Sequence, residues 1–115
     1  MRIAIVGSRA ITNIDLSRYI ANEDEIVSGG AVGVARCAAK YAQEHGLLLT
    51  EFLPQYERYG RAATHVRNRE IVEYAEKIIV FWDGHSKGAQ SVIRYARQIG
   101  KPCEVVLYRG EGEEL

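Results

Sequence analysis

Three short segments of this chain pair glycines with groups that can hold an anion. Gly29, Gly30, Ala31 and Gly33 follow one apolar run and precede another. Glycines between a strand and a helix let backbone N–H groups approach an anion at the helix N-terminus. The same glycines would also serve a tight turn or close packing of the helix on the sheet, so this loop alone leaves a phosphate cradle and a plain turn both open. Its spacing is neither G-x-G-x-x-G nor G-x-x-x-x-G-K-[ST], which excludes a dinucleotide fingerprint and a P-loop. Ser86, Lys87 and Gly88, in the loop that begins at Asp83 and Gly84, combine a hydroxyl, a cation and exposed backbone ahead of a helix. The competing reading there is a serine N-cap beside a solvated lysine. Gly7, Ser8 and Arg9 end the first apolar run and complete the set.

A fourth feature is Arg67 with Asn68. Asn68, Ile71, Val72 and Ala75 follow helical spacing, so a polar amide heads a core-facing stripe. A buried amide or guanidinium needs partners, which a ligand phosphate or backbone carbonyls could supply. An asparagine capping a loop and an arginine stem lying on the surface would give the same pattern. His45, His65 and His85 have neither metal-ligand spacing nor a carboxylate pair, so they read as surface or loop residues; no metal site, catalytic group or cofactor is expected. Tyr56 and Trp82 could stack on a base, with core packing favoured for Trp82. Cys37 and Cys103 form no close pair, which excludes a CxxC motif and reads as two buried thiols in a reducing cytoplasm.

The elements that must position these groups follow from hydrophobic periodicity. Apolar runs at residues 2–6, 25–28, 47–53, 77–82 and 103–108 read as five strands. A short helix with Leu16, Tyr19 and Ile20 on one side, capped at Asn13, is expected after the first strand. A second runs from Val34 through Cys37, Ala38, Tyr41 and Ala42 to a stop at Gly46; a third ends near Ala75; a fourth carries Val92, Ile93, Ala96 and Ile99. Residues 55–60 lack periodicity and read as a loop. Alternating strands and helices predict an α/β domain with a parallel sheet covered on both faces, at residues 1–108, followed by a polar tail at 109–115. In such sheets ligands bind beyond the C-terminal strand ends, where the three loops would converge.

Composition narrows the function. The 115 residues carry 15 Lys plus Arg and 15 Asp plus Glu, a net charge of zero, which argues against a domain built to neutralise a nucleic-acid backbone. No apolar run reaches a membrane span, and no charged leader precedes an apolar segment. A cytoplasmic protein with no membrane partner is expected.

The segments GSR at 7–9, VSGGAVGV at 27–34, RN at 67–68 and FWDGHSKGA at 81–89 resemble, in order and position, the YspA-like branch of the SLOG superfamily. That Rossmann-like group also includes the Lonely-Guy phosphoribohydrolases and the DNA-processing Smf proteins. The resemblance implies strand order 3-2-1-4-5, a nucleotide-derived phosphate-bearing ligand on Gly29, Gly30 and Gly33, Arg67 and Asn68 facing it, and Asp83 to Gly88 as the opposite wall. Ala35 and Ala89 stand where relatives tend to carry polar residues. Val92 occupies the place of the Lonely-Guy glutamate and cannot polarise a leaving base. A non-catalytic nucleotide sensor is therefore expected, ahead of an N-glycoside hydrolase using Asp83 or Glu51 and a single-strand DNA binder. A homo-oligomer, such as a dimer, is expected through Tyr56, Tyr59 and Tyr95.

Overall fold

The structure is a computed structural model that describes residues 1–109 and 113–114. Strands β1 (Arg2–Gly7), β2 (Glu25–Ser28), β3 (Leu49–Glu51), β4 (Lys77–Trp82) and β5 (Cys103–Arg109) form a parallel sheet in the order 3-2-1-4-5. This is the expected Rossmann-like α/β architecture. A two-residue strand, β6 (Glu113–Glu114), pairs antiparallel with the outer edge of β5, so the expected tail begins inside β5 and returns to the sheet; residues 110–112 and 115 of it lie outside the described residues.

Helices α1 (Val34–His45), α3 (Ala63–Tyr74) and α4 (Lys87–Gln98) are each 12 residues long, and a single turn, α2 (Tyr56–Tyr59), precedes α3. The period of two along the inner strands divides the core. Ile3 and Ile5 of β1 and Ile79 and Phe81 of β4 face α1, while Ala4, Ile78 and Val80 face α3 and α4. Consecutive side chains of a strand point to opposite faces, so an unbroken apolar run supplies both layers at once.

Several local expectations are corrected. The first predicted helix is one 3-10 turn, Leu16–Arg18, capped by Asp15 rather than Asn13. Its apolar spacing reflects burial of Ile11, Leu16 and Ile20 beneath an irregular segment on the α1 face. The predicted loop at 55–60 contains α2, and the third strand is only Leu49–Glu51, because its sole strand neighbour, β2, spans four residues. Cys37 and Cys103 are free thiols as expected but only partly buried, and Cys37 Sγ donates to the Thr12 carbonyl at 3.2 Å. Among the described residues, no helix is long and apolar enough to cross a membrane.

Candidate functional site

Adjacency of β1 and β4 brings the loops after them together. Gly7 pairs with Phe81, the Ser8 N–H donates to the Phe81 carbonyl at 3.0 Å, and the Asp83 N–H donates to Ser8 Oγ at 3.2 Å. A Cβ on Gly7 would lie 2.2 Å from the Phe81 carbonyl oxygen and 2.7 Å from a methyl of Val34. The missing side chain thus lets the start of α1 sit directly over the end of β1.

At this sheet edge opens a cleft of about 390 Å³. Arg9, Thr64, Arg67, Asn68 and Ser86 give it polar groups, and Gly7, Gly29, Gly30 and Gly88 give it exposed backbone. Ile5, Val6, Ala31, Ala35, Ile71 and Ala89 make an apolar lining, with Leu53, Pro54 and Tyr56 as a further wall. The three loops and the Arg67–Asn68 pair, separate in sequence, therefore meet in one concavity.

The remaining predicted residues lie outside its lining, and Ser8, Gly33 and Asp83 hold the loops in shape. Ser8 is buried and ties the two strand ends together as described. Gly33 has φ of +77°, and a Cβ there would come within 2.5 Å of the Arg9 carbonyl oxygen. One Asp83 oxygen accepts from the N–H groups of His85 and Ser86, both at 2.8 Å. Those two bonds hold the Asp83 carboxyl below the ordinary aspartate range. Gly84 and Lys87 are exposed. Ser86 caps α4 by accepting from the Ala89 N–H, so its capping role and its place in the cleft coincide.

Arg67 is the electrostatic centre of the site. Its Nη1 donates to the Gly29 carbonyl at 2.7 Å and its Nε to Asn68 Oδ1 at 2.8 Å. The guanidinium is half-buried, and burial, with a contribution from neighbouring Arg9, pulls it below the usual arginine range. Arg67 nonetheless remains cationic at neutral pH, since arginine keeps its proton in proteins. Neither Arg9 nor Arg67 makes an ion pair among the described residues, and the lining contains no carboxylate.

Comparisons of the chain with family models, curated proteins and solved structures returned no match. What the cleft can hold is set by its own residues. Two cations, of which Arg67 is held by its hydrogen bonds, with glycine backbone and a cavity in the usual ligand size range, suit a small anion-bearing molecule with an apolar body. The wall at Leu53 and Pro54 was not foreseen. Pro54 reads in sequence as a strand breaker, and only the return of the chain across Gly30 places Leu53 at the cleft, where a Cβ on Gly30 would meet Leu53 Cδ2 at 2.3 Å. All three histidines are exposed, and none lines the cleft. Trp82 packs against the α3/α4 core and donates its Nε1–H to the Ser86 carbonyl at 3.0 Å.

Proposed function

We propose that this chain binds a nucleotide-derived, phosphate-bearing small molecule in the cleft without turning it over, as the resemblance to the SLOG superfamily implies. The observation that carries this reading is a pair of arginines, Arg9 and Arg67, sharing a glycine-walled cleft whose lining holds no carboxylate, Glu51 standing at its rim beside Gly30. Two like charges at one site repel, and partial burial of one adds a desolvation cost; a bound phosphate would offset both. The glycine loops would supply backbone N–H donors, and Tyr56 with Leu53 a face for a base.

The cleft's composition favours binding over hydrolysis. Val92 is buried on the core face of α4 and does not line the cleft. Asp83 is occupied by two backbone N–H groups. Glu51 is exposed at the end of β3, at the rim near Gly30. The reducing cytoplasm suits the two free thiols. Self-association is proposed on Tyr56 alone, which is 61% exposed, because Tyr59 and Tyr95 are half-buried; a monomer mass by light scattering at micromolar protein overturns it.

Calorimetry with a panel of nucleoside monophosphates tests the main reading. Arg67→Ala should weaken binding by about tenfold to a hundredfold, the range of one lost charge-assisted hydrogen bond. Equal affinity would remove Arg67 from the site. Release of free base at a rate that depends on Glu51 or Asp83 would make the hydrolase the better account.

A further inference from the structure

A second concavity, of about 190 Å³, lies between α3 and α4 and is lined by His65, Asn68 and Arg69 from α3 and by Ser91, Arg94 and Tyr95, among others, from α4. Asn68 lines both this groove and the cleft. Successive residues of a helix are turned by about 100°. Arg67 and Arg69 therefore stand on either side of Asn68, one toward the cleft and one toward the groove. Asn68 Oδ1 accepts from Arg67, while its amide NH2 makes no hydrogen bond among the described residues. A donor is thus left on the ridge between the two concavities.

The groove is cationic. Arg69 lies over the Tyr95 ring at 4.9 Å, which holds its guanidinium in place, and Arg94 stands on the opposite helix. Neither makes an ion pair among the described residues. The nearby carboxylate of Glu73 accepts a hydrogen bond from the Tyr95 hydroxyl.

We propose that the groove is a second anion subsite, and that the ligand of the cleft carries two phosphate groups, the first at Arg67 and the second passing over Asn68 to Arg69 and Arg94. A separation of the two groups on the order of 10 Å follows from the width of one helix. This rests on the nucleotide reading above and specifies its ligand class: a nucleotide with a second, separated phosphate rather than a simple monophosphate.

The test compares nucleoside 5′-monophosphates with the matching 3′,5′-bisphosphates, titrated into the native protein, Arg69→Ala and Arg94→Ala at low salt. The bisphosphate should bind roughly tenfold more tightly than the monophosphate, with the difference shrinking as salt screens exposed charges. Each variant should erase most of that gain and leave monophosphate affinity unchanged. Monophosphate binding with no gain for the bisphosphate, or a gain that survives both substitutions, overturns the second subsite and leaves the cleft reading standing. Binding of neither compound overturns both.

Discussion

The Arg67 guanidinium donates to the Gly29 carbonyl across the cleft at 2.7 Å, and the same nitrogen lies 2.6 Å from where a Cβ on Gly29 would sit. Glycine and arginine are therefore mutually fitted. Gly29 is not among the glycines with positive φ, so alanine is compatible with its backbone, and the atoms it would displace belong to the far end of a flexible side chain. Gly29→Ala should destabilise the fold by less than about 1 kcal/mol while moving Arg67 off its position. Nucleotide affinity should fall about tenfold with little change in thermal midpoint. A thermal melt beside a calorimetric titration checks both halves.

Gly33 should behave in the opposite way. Its φ of +77° strains any other residue, and a Cβ there would meet backbone atoms of Arg9 at 2.5 to 2.7 Å, which cannot rotate aside. Gly33→Ala should cost at least about 2 kcal/mol. Gly84 also has positive φ, +85°, but nothing lies within 4 Å of its Cβ position, so Gly84→Ala should cost only about 1 kcal/mol of backbone strain. Urea denaturation of the two variants should separate them clearly; equal losses would show that contact with Arg9 is not what requires glycine at 33.

Asp83 gives the fold an acid-sensitive joint. Its carboxylate accepts from His85 and Ser86, which lowers its proton affinity in the folded state. The unfolded chain therefore takes up the proton first on acidification. The stabilisation is full above the ordinary aspartate value near 4 and is lost as pH falls through the lowered folded value. Asp83→Ala should be less stable than the native protein at pH 7, with the gap closing at the acid end. A gap independent of pH between 7 and 2 would show that charge plays no part in holding this loop.

The sheet was legible because its inner strands are apolar on both faces. The boundaries of β4 and α1 coincide with runs such as KIIVFW and with the Val34, Ala38 and Ala42 stripe ended by Gly46. The edge was less legible: Leu47–Leu53 is apolar but for Thr50 and Glu51, yet only Leu49–Glu51 pairs as a strand with β2, and Leu48 and Leu53 stay exposed. The four residues of α2 are too few to show a helical period. At the site, topology alone brings the loops together, but residue type does not separate a lining residue from a brace. Gly29 and Gly33 look alike in sequence; one borders the cleft and the other is packed against Arg9. Ser8 and Asp83, polar residues beside glycines, satisfy backbone groups of the loops instead of lining the cavity.

Tyr56 offers the sharpest test of how the body of the ligand is held. It begins α2, is 61% exposed and lines the cleft beside Leu53 and Pro54. A ring so exposed contributes little to the core, so Tyr56→Ala should leave the thermal midpoint nearly unchanged. Stacking of a base on an aromatic face is worth about 1–3 kcal/mol, hence a fivefold to hundredfold loss of nucleotide affinity in the alanine variant. Tyr56→Phe keeps the face and removes the hydroxyl, so it should bind like the native protein if stacking is the contact. Ribose 5-phosphate, which has no base, should bind native protein and Tyr56→Ala equally. If Tyr56→Phe instead matches Tyr56→Ala, the hydroxyl is the contact and the wall formed by Leu53 and Tyr56 does not hold a base.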